Sequence, residues 1–208
     1  MQNSFIIYNG KTAKYQDAVI LPSNRSFRYG DGIFETMHAN GTKVQFFKDH
    51  YERLLWSMKI LKMTPPPDFD STFLHKQISR LLTTNKLFHG AKVRLAVFRK
   101  DGGNYIPESN EISYIIEAEK YEYEQYAISR RGLIIDIYKQ NRKPVNAFSN
   151  LKSSNALLYV MAGIYMRSKG LDDCLLINEN GNIIEATSSN LFVYKDKALF
   201  TPSLEDGC

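Results

Sequence analysis

Three Asn-Gly pairs, Asn9-Gly10, Asn40-Gly41 and Asn180-Gly181, cut this chain into short runs. Asn-Gly readily adopts the left-handed backbone of two-residue turns, so each pair marks a place where a strand folds back. Phe5-Ile6-Ile7-Tyr8 enters the first pair, and residues 33–39 and 43–47 flank the second as a hairpin. Two helical patterns follow. Residues 49–62 carry Leu54, Leu55, Met58 and Leu61 at helical spacing, and residues 71–87 carry Leu74, Ile78, Leu81 and Leu82. Pro65-Pro66-Pro67 ends the first helix. Residues 92–99 and 111–119 read as two more strands.

Residues 120–131 are polar and tyrosine-rich without a clear period, and are expected to link a domain at 1–119 to a second at 132–208. In that second half, 132–138 reads as a strand, 141–152 as a loop and 153–169 as a helix that buries Leu157, Leu158, Met161, Ala162 and Tyr165. The helix stops at Gly170. Short strands at 174–178, 183–186, 191–194 and 198–201 complete the chain. Strands outnumber helices in both halves, which predicts an α+β fold rather than a doubly wound parallel sheet.

The net charge is +5, a mildly basic surface suited at most to attracting anionic small molecules. The basic residues are scattered, with one short cluster at Arg130-Arg131, so nucleic acid is not an expected partner. No apolar run reaches the roughly 18 residues of a membrane span. Cys174 and Cys208 give neither a disulfide framework nor metal-ligand spacing, and a cytoplasmic setting is the simplest expectation.

Phosphate-ester cofactors need cationic and N–H donors, and covalent work on an amine or carbonyl needs a lysine. Four segments carry such groups. Lys152 sits in a polar loop before a helix, and a Schiff-base lysine must spend time neutral, which burial or a cationic neighbour favours. Glu185 heads Thr187-Ser188-Ser189-Asn190 between two apolar strands, pairing a carboxylate with small donors suited to an anion. Arg53 follows His50 at the start of the first helix, where a guanidinium can grip a phosphate. The glycines of Tyr29-Gly30-Asp31-Gly32 imply a tight backbone path into a strand, without the lysine of a P-loop. Each segment alone also reads as ordinary surface, turn or loop.

Their order carries more. Tyr29-Gly30-Asp31-Gly32-x-Phe34-Glu35, His50-x-x-Arg53-Leu54, Lys152-x-x-Asn155 and Glu185-x-x-Ser188-x-Asn190-Leu191-Phe192 together resemble the class IV (fold type IV) aminotransferases and their lyase relatives. The resemblance covers nearly the whole chain. It implies two α+β domains, an N-terminal α/β sandwich and a C-terminal pseudo-barrel, with pyridoxal 5′-phosphate as cofactor between them and a homodimeric assembly. Lys152 would form the internal aldimine and move protons. Glu185 would pair with the pyridinium nitrogen, Arg53 would hold the phosphate, and Ser188, Ser189 and Asn190 would lie along the cofactor. Tyr29 and Phe34 would line the side that takes an amino-carboxylate substrate. Relatives also place arginines on the strand of Arg94 and Arg99. Residues five apart on a strand face opposite ways, so one of the two meets the pocket, and Arg99 is the expected one.

The pattern departs from the branched-chain branch, which has a tyrosine five residues after the lysine and reads Phe-Glu-Gly. Here Leu157 and Phe34-Glu35-Thr36 stand in those places. Lys152-x-x-Asn155-x-Leu157 is more similar to D-amino-acid transaminases and 4-amino-4-deoxychorismate lyases, and residues 199–207 to the lyases. The resemblance therefore implies pyruvate elimination from aminodeoxychorismate to give 4-aminobenzoate. Amino-acid transamination (D-amino-acid or branched-chain type) and a non-catalytic fragment are the alternatives. Relatives continue into a further phosphate-binding segment, so the C-terminal domain and its cofactor cup are expected to be incomplete within 208 residues.

Overall fold

A computed structural model describes residues 4–18, 20–122, 128 and 131–208. Most of the expected linker, residues 123–127, 129 and 130, lies outside the described residues, and so does Arg130 of the basic pair. The chain forms two compact units, one of residues 1–127 with 152–154 and one of 128–151 with 155–208.

The first unit is a six-stranded antiparallel sheet, built from β1 (Phe5–Tyr8), β2 (Lys11–Lys14), β3 (Gly32–Asn40), β4 (Lys43–Val44), β5 (Ala91–Arg99) and β6 (Ile112–Lys120) in the order β2-β1-β6-β5-β3-β4. Asn9 and Gly10 both take positive φ, 47° and 79°, as a primed hairpin turn between β1 and β2 demands. Alternation selects the buried face. Ile33, Met37 and Ala39 of β3 and Val93, Leu95 and Val97 of β5 point one way. They pack against Leu54 and Met58 of α2 (Phe47–Ile60) and Leu74, Ile78, Leu81 and Leu82 of α3 (Ser71–Thr84). Burying each such side chain stabilises by about 1.5–3 kcal/mol. Asp70 caps α3 by accepting from the Phe73 N–H at 2.7 Å. The short helix α1 (Arg25–Tyr29), which the sequence did not announce, precedes β3.

The piece 152–154 belongs to this unit because it pairs with the start of β3. The Phe34 N–H donates to the Lys152 carbonyl at 2.8 Å, and the Ser154 N–H donates to the Gly32 carbonyl at 2.8 Å. Ile33 and Ser153 form an antiparallel bridge between these bonds. Gly32 permits that approach. A Cβ there would stand 2.7 Å from Ser26 Oγ, 2.9 Å from Ser154 Oγ and 3.2 Å from the Val97 carbonyl. Gly32→Val is expected to cost about 2 kcal/mol through overpacking and to detach 152–154. Urea melts and faster amide exchange at Ser154 check this, and unchanged exchange would refute it.

In the second unit, β7 (Ile135–Lys143) and β8 (Asp173–Asn178) run parallel, connected through α4 (Leu157–Lys169), and β9 (Ile183–Ala186) pairs antiparallel with β8. β10 (Val193–Lys195) and β11 (Ala198–Phe200) form a separate hairpin. Tyr138, Ala162, Cys174, Leu176 and Ile184 make the core. Among the described residues these strands close no barrel, where a pseudo-barrel incomplete within 208 residues was expected. Two local expectations are also corrected. The strand ending at 138 continues to Lys143, held by backbone pairing with β8 across a register shift. The helix begins at Leu157 rather than 153, and its buried face differs from the one expected. Leu157 is 72% exposed and Met161 38%, while Leu158, Ala162, Tyr165 and Met166 pack inward. No helix among the described residues is long and apolar enough to cross a membrane.

Candidate active site

In the first unit the groups of interest separate onto the two faces of the sheet. On the face opposite the helices, Phe34 carries two cations. The Lys152 Nζ lies 5.0 Å from its ring centroid and the Arg94 Cζ 3.7 Å. Lys152 itself is exposed, on a backbone pinned by the bonds to β3. Burial pulls the Arg94 guanidinium down from its ordinary value, partly offset by Glu117, its cross-strand partner on β6.

Arg99, expected from the sequence to meet the pocket, lies on the other face and away from the Phe34 ring, with its guanidinium engaged by neighbouring residues. Its Nε donates to Asp31 Oδ2 at 3.0 Å, and its amino groups donate to Asn110 Oδ1 at 2.5 Å and to the Leu61 carbonyl at 2.7 Å. Arg25 Nε reaches the same Asp31 oxygen at 2.9 Å. Parity separates the two arginines as expected, but it is Arg94 that shares a ring with Lys152. Arg99 and Arg25 clamp Asp31 and so brace the glycine-flanked turn. Tyr29 stacks at a tilt on Tyr105, with centroids 5.5 Å apart, and the Arg25 guanidinium lies 5.1 Å from its ring.

Arg53 sits on the helix-covered side and grips Glu35, a residue to which the sequence alone assigns no role. The Arg53 Nε donates to Glu35 Oε1 at 2.7 Å and the Nη2 donates to Oε2. His50 Nδ1 is 2.7 Å from Oε2. Glu35 is 2% exposed on a stripe of apolar residues. Burial works to raise its carboxyl, but hydrogen bonds from Arg53 and His50, with their charge, outweigh that and hold it below the usual carboxylate range. A carboxylate in a core stripe, opposite a His-x-x-Arg pair on one helix face, was the signal available. The Arg53 side chain is 46% exposed, and its Nη1 makes no hydrogen bond among the described residues.

In the second unit Glu185 lies on β9. Its Oε1 accepts from Lys143 Nζ at 2.6 Å and from the Tyr159 hydroxyl at 2.8 Å. Burial, then the Glu185 charge and hydrogen bond, push the Tyr159 hydroxyl far above its ordinary value. The bend after β9 is tied by Thr187, whose hydroxyl donates to Asp173 Oδ1 and whose N–H donates to the Cys174 carbonyl at 3.1 Å. The Ala186 N–H closes it on the Ser189 carbonyl at 2.9 Å. Ser188, Ser189 and Asn190 are therefore presented to solvent, with side-chain donors unpaired among the described residues.

Residues 32–208 match the sequence family described as Amino-transferase class IV. A probable branched-chain-amino-acid aminotransferase from Aquifex aeolicus (strain VF5) is 24% identical across 96% of this chain and 66% of its own length. An aminodeoxychorismate lyase from Vibrio harveyi is 25% identical across 87% of this chain and 65% of its own. The chain thus spans about two thirds of the length of these curated relatives. Among solved structures, the T.th. branched-chain amino acid aminotransferase complexed with N-(5′-phosphopyridoxyl)-L-glutamate matches with a TM-score of 0.84 at 22% identity, covering 97% of this chain and 67% of its own. The two share a mixed α+β fold.

Proposed function

Because the chain belongs to the class IV aminotransferase family, we propose that it holds pyridoxal 5′-phosphate on Lys152 and acts on an amino-carboxylate substrate. The observation that carries this reading is the Lys152 amine, set over the Phe34 ring that also carries Arg94, on a backbone fixed to β3. Within each unit taken by itself, the donor types suit the cofactor. Arg53 has Nη1 left for a phosphate oxygen, Ser188, Ser189 and Asn190 offer unpaired donors, and Glu185 Oε2 makes no hydrogen bond among the described residues. A relative of the same fold carries a phosphopyridoxyl group in its crystal structure.

When bound, pyridoxal phosphate supplies a carbonyl for covalent capture of the substrate amine and an electron sink for the pair left at carbon. The chain's residues do the rest. Lys152 takes and returns a proton at the substrate carbon. Glu185 accepts from the ring N–H, Arg53 and the serine bend bind phosphate, and Arg94 pairs with the substrate carboxylate. Tyr29 and Phe34 shape the substrate side. A homodimer belongs to the same reading.

The finer proposal is elimination of pyruvate from aminodeoxychorismate, leaving 4-aminobenzoate. It rests on Leu157 and Thr36 standing where branched-chain enzymes carry other residues, and on the lyase among the relatives. Transamination is the second reading, favoured by the branched-chain name of the Aquifex relative. Addition of pyridoxal phosphate is expected to give a visible absorption band, and borohydride to fix the cofactor on Lys152. A product assay then separates the reactions. Pyruvate formed without an oxo-acid acceptor supports the lyase, and dependence on 2-oxoglutarate supports the transaminase. Absence of any band would leave a non-catalytic member of the fold.

A further inference from the structure

Lys143 is the residue whose environment asks most for an explanation. It is a lysine at the end of β7 with only 8% of its surface exposed. Burying an ammonium is costly unless a partner compensates, and its partner is Glu185 Oε1, 2.6 Å away. Such pairs are often no more stable than well-packed apolar side chains of the same volume. Fold stability is therefore a weak reason for keeping this one.

The geometry around Glu185 is asymmetric. Lys143 and the Tyr159 hydroxyl both donate to Oε1, at 2.6 and 2.8 Å. The Lys143 Nζ also lies 5.7 Å from the Tyr159 ring centroid, so the two donors steady each other. Oε2 receives no hydrogen bond among the described residues. One oxygen is locked from two directions and the other is left for an incoming donor.

We infer that Lys143, with Tyr159, is a positioning residue that orients Glu185 Oε2 toward the cofactor ring nitrogen and moderates how strongly the carboxylate holds that nitrogen's proton. The inference rests on Glu185 being the ring-nitrogen partner. An ammonium on Oε1 neutralises part of the carboxylate charge, which weakens the pull on a proton shared at Oε2. Tyr159 supplies direction without full charge. The lysine sets the strength of the electron sink, and the tyrosine sets its aim.

The test is the protonation of the ring nitrogen, read by NMR in the full-length protein loaded with pyridoxal phosphate labelled with nitrogen-15 in the ring. In Lys143→Met the nitrogen is expected to stay protonated to a pH higher by about one unit, a tenfold change in the proton equilibrium. Lys143→Arg should titrate like the wild type, and Tyr159→Phe should shift by less than Lys143→Met. If Lys143→Met does not fold, Lys143→Gln takes its place with the same expectation. Coincident titration of a folded Lys143 variant and the wild type would overturn the inference. Glu185→Gln separates the two levels of the argument. If it abolishes ring protonation while Lys143→Met changes nothing, Glu185 keeps its role and only the role of Lys143 falls. If Glu185→Gln also changes nothing, both fall together.

Discussion

Lys152→Ala is expected to lower turnover by on the order of 10⁴-fold, the upper range for one positioned proton-transfer group, because the covalent hold on the cofactor is lost with it. Stability should stay within about 0.5 kcal/mol of the wild type. The two effects separate because the backbone and the side chain of Lys152 are engaged separately. Its carbonyl accepts from the Phe34 N–H at 2.8 Å, a bond alanine keeps. Its side chain is exposed and rests on the Phe34 ring, 5.0 Å from Nζ to centroid, so its loss removes a surface cation–π contact and leaves no cavity. Turnover, thermal melting and borohydride labelling check the expectation. A variant that still turns over substrate would sink the assignment, while one that loses activity through unfolding would show that the side chain is structural.

What could be read from the chain beforehand follows a physical line. Local backbone chemistry was legible. Asn9-Gly10 turns as its residue types require, and β5 alternates as its apolar spacing implies. The separation of Arg94 from Arg99 follows from strand geometry alone. Which of them meets a substrate does not, because both faces of β5 carry apolar residues: Val93, Leu95 and Val97 on one, Ala96 and Phe98 on the other. The packing of α2 and α3 on the first set puts Arg99 on their side and leaves Arg94 on the other. The phase of α4 escaped for a similar reason. Ala156 offers no side-chain cap, so nothing local marks where the helix begins, and Leu157, Leu158, Val160, Met161, Ala162 and Ile164 spread apolar surface round it, so spacing alone does not select the buried side. Lys143 was invisible because residues 139–143 are wholly polar. Their strand exists through pairing with β8, which is a non-local fact.

Glu35→Gln is expected to destabilise the first unit by about 2 kcal/mol at neutral pH. Breaking a buried pair often costs more, but the Arg53 side chain is 46% exposed and regains water. The pH dependence follows from the direction of the shift. Arg53 and His50 hold the folded carboxyl below its ordinary range, so its contribution is fully present above the unfolded value and is lost as pH falls through the folded one. The gap between wild type and variant should therefore be widest at neutral pH and narrow on acidification below about 4. Urea melts across pH check this, and a gap independent of pH would mean that the carboxylate's charge is not what stabilises. The same variant tests the phosphate role. Glu35 fixes the Arg53 fork through Nε and Nη2, so its loss should raise the dissociation constant for pyridoxal phosphate by about tenfold, or 1.4 kcal/mol. Direct removal in Arg53→Ala should raise it further. If Arg53→Ala leaves cofactor affinity unchanged, Arg53 serves only to neutralise Glu35, and the phosphate must depend on other donors such as the Ser188–Asn190 bend.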